Sequence, residues 1–182
     1  MLMKILLHSC CAPCSGAIIE SLVKEGVRPV VFFSNSNIES PEEYGRRLSE
    51  VRRYCALFDL ELVDDIYDHE DWLSYIKGFE NEPERGERCL KCFEYRLRRA
   101  AALASQRGMD TLTTSLASSR WKSLEQVDLA GTRACTDYPP VEWWGRNWRK
   151  GGLQERRREI IREQNFYNQD FCGCEFSHRR TD

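Results

Sequence analysis

Hydrophobic and polar positions fall into two alternating kinds of segment along the chain. Residues 3–7, 29–33 and 60–63 are short apolar runs, and residues 111–114 are largely β-branched; each reads as a strand buried on both faces. Between them the apolar positions recur at helical spacing. Ile18, Ile19, Leu22 and Val23 make one such face, preceded by the turn signal Ala12-Pro13, with Ser15 as the expected cap and Gly26 as the stop. Ser40-Pro41-Glu42-Glu43 opens the next helix, with proline in the first turn and acids at the positive end. Tyr44, Leu48, Val51, Tyr54, Cys55 and Phe58 form its buried face. Further helices are predicted over 72–79, 90–106, 122–134 and 153–163, with a polar loop over 80–87. A last strand over 138–141 is confined to an edge by Pro139 and Pro140, and a tail covers 166–177.

Apolar strands alternating with helices predict an α/β fold with a mostly parallel sheet flanked by helices. Ligands of such sheets sit beyond the carboxyl ends of the strands. The cysteines after the first strand and Thr114-Ser115 at the end of the fourth are therefore expected at one common edge. A chain of 182 residues suits a single domain, 1–182, in which 151–182 forms a C-terminal helix and a cysteine-bearing extension.

Charge changes this picture locally. The net charge is only −2, so no global field draws nucleic acid. Residues 59–87 are strongly acidic, whereas 143–162 carry an excess of arginine and lysine. No run approaches the roughly 18 apolar residues of a membrane span. The start lacks the flanks of a secretion signal, so a cytoplasmic protein without a membrane partner is expected.

The chain has nine cysteines. In a cytoplasmic setting they point to metal binding or catalysis rather than to disulfides. Seven fall into three motifs: Cys10-Cys11-Ala12-Pro13-Cys14, Cys89-Leu90-Lys91-Cys92 and Cys172-Gly173-Cys174. A C-x-x-C pair at a helix start presents two sulfurs one turn apart, and the helix end with Arg88 and Lys91 is expected to favour their thiolates. Gly173 lets the chain bend close to an inorganic group. Cys89, Cys92, Cys172 and Cys174 are the ligand set of structural zinc or of a [4Fe–4S] cluster. Seven motif cysteines exceed what one four-coordinate ion uses, which favours a cluster with a second metal or a catalytic thiol. Cys55 and Cys135, on apolar helix faces, read as small buried hydrophobes. His8 is either a hydrogen-bonded support or a ligand and proton donor, and His69 and His178 read as surface residues.

At these motifs the chain resembles the epoxyqueuosine reductases of the QueH type. The resemblance runs through residues 8–15, Asn37-Ile38, Glu43-Tyr44, 82–92, Arg96-Leu97, 113–116, Lys150-Gly151-Gly152 and 172–177. The chain departs from the family's usual pattern at Tyr167-Asn168-Gln169, at Ser119-Arg120-Trp121-Lys122 and at Asn147-Trp148, without losing a cysteine. The resemblance implies a HUP-like, Rossmann-type fold in which the first cysteine motif stands where ATP-using relatives carry a phosphate loop. It implies cobalamin-independent reduction of epoxyqueuosine to queuosine at the wobble position of tRNA with a GUN anticodon, using an external electron donor. On that basis Cys89, Cys92, Cys172 and Cys174 are expected to hold a [4Fe–4S] cluster. Cys10 and Cys11 are expected to hold an adjacent mononuclear iron, with Cys14 and His8 completing the catalytic set.

Arg88, Thr114, Ser115, Lys122, Arg149 and Lys150 are expected to face the substrate. Trp143, Trp144 and Trp148, interleaved with Arg146, Arg149 and Lys150, offer either base stacking with phosphate contacts or a core-packing corner. Two other readings compete: a thiol–disulfide oxidoreductase using Cys11 and Cys14, and a zinc-stabilised RNA-binding module.

Overall fold

The computed structural model describes residues 3–178. The outermost residues of the expected 1–182 domain, 1–2 and 179–182, lie outside the described residues. Five parallel strands form one sheet: β1 (Ile5–His8), β2 (Val30–Phe33), β3 (Leu62–Asp64), β4 (Thr111–Thr114) and β5 (Glu142–Trp143). Their order is β3-β2-β1-β4-β5. Six α-helices connect or flank them: α1 (Ala12–Lys24), α2 (Pro41–Leu57), α3 (His69–Tyr75), α4 (Glu87–Gln106), α5 (Leu124–Thr136) and α6 (Leu153–Glu163). α1 packs against α2 and α6, and α4 against α3 and α5. The α/β class and the parallel, Rossmann-like sheet agree with the hydrophobic pattern.

The winding reverses at β1. The chain builds outward to β2 and β3 on one side, then returns to place β4 and β5 on the other. A crevice opens at the carboxyl ends of the two strands flanking such a switch point. Here those ends are His8 and Thr114, which are directly paired in the sheet register. Leu6, Leu7, Phe33 and Leu112 are wholly buried beneath them. Each side chain of that size contributes roughly 1.5–3 kcal/mol on burial, so the floor of the crevice is a rigid part of the molecule.

Several boundaries differ from expectation, each for a local reason. Pro13 does not make a turn before a Ser15 cap; it sits in the first turn of α1, where its missing N–H costs nothing, and Cys11 is the cap residue. Ser15 lies inside the helix and donates to the Cys11 carbonyl at 2.8 Å. Asp68 caps α3 by accepting from the Asp71 N–H, so this helix begins and ends earlier than the apolar run suggested. α4 starts at Glu87, directly after Gly86, which puts both cysteines of the second motif in its opening turns. Ser123 caps α5, two residues later than expected. The last strand is 142–143 rather than 138–141: the Pro139-Pro140 segment precedes it, and β5 occupies the sheet edge. β3 likewise begins two residues later than the apolar run.

Candidate metal centre

The end of β1 and the start of α1 bring the first motif to the crevice. Cys10, Cys11 and Cys14 are all buried, and their three sulfurs lie within 4.8 Å of one another. The Cys10 and Cys11 sulfurs are 3.9 Å apart. Thiolates around one tetrahedral ion with metal–sulfur bonds near 2.3 Å stand about 3.8 Å apart, so this trio matches the span of a single ion. Among the described residues it is the one group of three or more metal-binding side chains drawn so close.

The trio's electrostatics single out Cys10. Hydrogen bonds from Cys11 and Cys14 hold the Cys10 thiol well below its ordinary range, against the opposing effect of burial, with Lys122 and Arg96 adding to the lowering. The same bonds push Cys11 up to about 11 and Cys14 upward as well. The group thus places its first negative charge on Cys10. Ser115 holds that residue from both sides: its hydroxyl accepts from the Cys10 N–H at 2.9 Å and donates to the Cys10 sulfur at 3.2 Å. On α6, Arg157 donates to the Pro13 carbonyl at 2.9 Å and reaches the Cys14 sulfur at 3.7 Å.

Cys89, Cys92, Cys172 and Cys174 line the same cavity, which has a volume of about 630 Å³. Their sulfurs act electrostatically on one another, yet no three of them stand as close as the first trio. Four thiols facing one cavity are a donor set that fits structural zinc or a [4Fe–4S] cluster. The expected lowering of the C-x-x-C pair gives way to burial. Burial raises Cys89, and raises Cys92 to about 11, and the nearby guanidiniums oppose this only in part. Burial likewise raises Cys174 to about 12.

The tail is fixed from α2. Arg47 is almost fully buried, donates to the Cys172 carbonyl at 2.8 Å and the Phe171 carbonyl at 3.3 Å, and pairs with Glu43 at 2.6 Å. Gly173 adopts a φ of +134°, and a Cβ there would meet Ile38, Arg47 and Asn37 within 3.3 Å. Its bend is therefore required by close packing against the loop after β2. Arg47 was not singled out by its spacing, because only the fold brings residue 47 to residue 172.

The other expected residues take varied positions. His8 is fully buried, with Nδ1 at 2.8 Å from the Thr114 hydroxyl and Nε2 at 3.0 Å from the Ser34 carbonyl. Burial and then Arg96 lower its pKa to about 4, so its ring is neutral and ties β1 to β2 and β4. Thr114 is committed to His8 and the Leu116 N–H. Arg88 donates to the Glu80 and Glu82 carbonyls and lies over Phe176, which fastens the 80–87 loop to the tail. Lys122 and Arg149 line the cavity, and Arg149 is anchored to the Ser119 and Lys122 carbonyls. Burial opposes the charge of Lys122, but the sulfurs of Cys172, Cys10 and Cys14 outweigh it and raise its pKa. Lys150 is exposed and does not line the cavity.

The tryptophan stretch is a packing corner. Trp148 is 0% exposed and donates to Thr113 at 3.1 Å, while Arg146 is stacked on Trp144 and Trp148. The cavity instead carries Arg120 and the 58%-exposed Trp121. Arg85, Arg149, Arg157 and Arg158 add positive charge to it, against the carboxylates Glu84 and Asp170. Cys55 and Cys135 are buried apart from the site, and burial alone raises each to about 11. His178 is exposed, but His69 is mostly buried, held by the Ser36 carbonyl and Glu175.

A Rossmann-like sheet whose switch-point crevice is walled by seven cysteines defines a cysteine-rich α/β protein in which Cys10, Cys11 and Cys14 stand close enough to hold a metal ion. The family described as "Epoxyqueuosine reductase QueH" matches residues 5–180. The chain is similar to the epoxyqueuosine reductase QueH of Acinetobacter baylyi, 44% identical over 98% of this chain and 82% of the relative. It is 42% identical to that of Histophilus somni, over 98% of this chain and 73% of the relative. It is 30% identical to that of Thermotoga maritima, over 95% and 89% of the respective chains. The chain belongs to the epoxyqueuosine reductase QueH family. Among the described residues, no helix is long and apolar enough to cross a membrane.

Proposed function

We propose that this chain reduces epoxyqueuosine to queuosine in tRNA. The supporting observation is that both cysteine groups open into one positively lined cavity at the sheet's switch point. Cys89, Cys92, Cys172 and Cys174 are the proposed holders of a [4Fe–4S] cluster, and Cys10, Cys11 and Cys14 of a further iron. Converting the epoxide to an alkene takes two electrons and two protons and releases the oxygen as water. Held by these cysteines, such a centre would supply electron transfer and Lewis acidity.

The protein's own groups set the geometry. Ser115 and Arg157 hold the first trio in place from either side, and Arg47 holds the tail bearing Cys172. His8 acts here through position, since both its ring nitrogens are occupied within the sheet. Lys122, Arg149 and Arg120 supply the positive charge that an anticodon loop's phosphates require, and Trp121 offers a ring on which an unstacked base rests. Electrons come from an external donor, without cobalamin. In this reading residues 1–182 work as one domain in a cytoplasmic protein, with 151–182 closing the metal site.

The deciding assay combines anaerobic purification with iron reconstitution, followed by incubation of the reduced protein with epoxyqueuosine-containing tRNA. A brown protein that forms queuosine is expected. A colourless protein holding only zinc would favour an RNA-binding module, and a metal-free one a thiol–disulfide enzyme; either result sinks the reductase reading.

A further inference from the structure

Arg96 carries a charge that the protein leaves without a carboxylate. It is 2% exposed and lines the cavity from α4, seven residues after Cys89 and four after Cys92, so all three share a helix face. Its Nε donates to the Ser34 carbonyl at 3.4 Å, and one Nη donates to the Asn35 side-chain oxygen. Both acceptors are neutral, and the Asn35 amide is itself spent on the Ser9 carbonyl at 2.9 Å. The remaining Nη points to the Cys92 sulfur at 3.9 Å. Asp65, which accepts from the Ser34 hydroxyl, is already paired with Arg99 at 2.5 and 2.9 Å. Among the described residues no carboxylate pairs with Arg96. A buried cation persists only where an opposite charge compensates it. Burial and the nearby Lys122 work against its charge, while the Cys92, Cys10 and Cys172 sulfurs favour it.

We infer that Arg96 is a positioning residue that sets the reduction potential of the metal centre, its buried positive charge reaching the centre through the Cys92 sulfur. The inference rests on the iron–sulfur reading above. Reduction adds negative charge to the centre. A fixed cation at a ligand sulfur, shielded from solvent, stabilises the reduced state more than the oxidised one and raises the potential. Lys122 also faces the sulfurs and adds to the same positive field, but of the two cations only Arg96 contacts a sulfur of the C-x-x-C pair, that of Cys92. Arg96 is sealed between the ends of β1 and β2 and the cysteine face of α4, so its effect is fixed by the fold.

The experiment is an anaerobic redox titration of the reconstituted protein, following visible absorbance and the electron paramagnetic resonance of the reduced centre. Arg96→Met is expected to keep the oxidised-cluster absorbance and to shift the midpoint to more negative potential; Arg96→Lys is expected to stay near the parent. An assembled Arg96→Met centre with an unshifted midpoint overturns the inference. If Arg96→Met does not assemble, Arg96→Lys decides: assembly near the parent midpoint supports the electrostatic role, and failure to assemble, or a strongly shifted midpoint, overturns it. A parent protein that takes up no iron–sulfur centre defeats the functional reading itself, which is a separate outcome.

Discussion

Single residues in this chain divide sharply by what surrounds them, and the cysteines show it best. Cys10 and Cys55 are both buried thiols. Cys10 has two sulfur neighbours, a serine hydroxyl and two nearby cations, which together favour its thiolate. Cys55 has only apolar packing on α2, which opposes ionisation. Cys10→Ala is therefore expected to abolish turnover while the four later cysteines still bring in iron, as absorbance and iron analysis would report. Cys55→Ala is expected to leave iron content and activity unchanged and to cost about 1 kcal/mol of stability from the small cavity it leaves, measured by denaturant unfolding. Equal losses of activity in the two variants would contradict this division. Gly131 makes a different point: a Cβ there would lie 2.3 Å from the Trp143 ring. Gly131→Ala should lower stability by about 1–3 kcal/mol through overpacking, visible as a reduced Tm, and pairing it with Trp143→Leu should recover part of the loss.

At the scale of elements, α6 is the lid on the first cysteine motif. It packs on α1, where Arg156 pairs with Glu20 at 2.8 Å and Arg157 grips the Pro13 carbonyl. The Arg156 guanidinium holds the Glu20 carboxyl below its ordinary range. A carboxylate depressed in the folded state stabilises above its unfolded pKa, and that contribution is lost as pH falls through the folded value. Glu20→Gln is thus expected to destabilise the protein by about 0.5 kcal/mol at pH 7, small because the pair is partly solvated. Parent and variant should converge on acidification below the carboxylate range, and unfolding midpoints measured across pH would show it. The strands and helices themselves were largely readable from hydrophobic period. Boundaries slipped where capping chemistry overrode the pattern: Pro13 starts a helix rather than turning the chain, and Asp68 moves α3 earlier.

For the whole molecule, the distribution of charge matters more than its near-neutral sum. Of the two readings of the basic tryptophan stretch, an RNA surface or a packing corner, the structure bears out the second: Trp148 is core and Arg146 is spent on stacking and on Glu25. Positive charge gathers instead around the cysteine cavity. tRNA affinity is expected to fall steeply with salt, and Arg120→Ala or Arg158→Ala to weaken binding and lower the salt slope by about 1 each. Arg146→Ala should leave affinity near the parent. Filter binding across a salt series checks this, and a larger effect from Arg146 than from Arg120 would move the interface back to the tryptophan stretch.

The sequence by itself determined the α/β class, the parallel sheet, the placing of Cys10 and Thr114 at one edge, and the three cysteine motifs, because each follows from local period or short spacing. Residues whose partners lie far along the chain were decided only by the tertiary structure. Arg47 meets Cys172, Arg157 meets Cys14, and Arg96 joins Ser34 and Asn35 to Cys92. The structure also closed Cys14 onto Cys10 and Cys11, and spread the later four sulfurs more widely. The reason is physical: a thiol's charge and a guanidinium's partner depend on what surrounds them in three dimensions. That surrounding exists only once β1, β4, α4 and the tail have converged on one crevice.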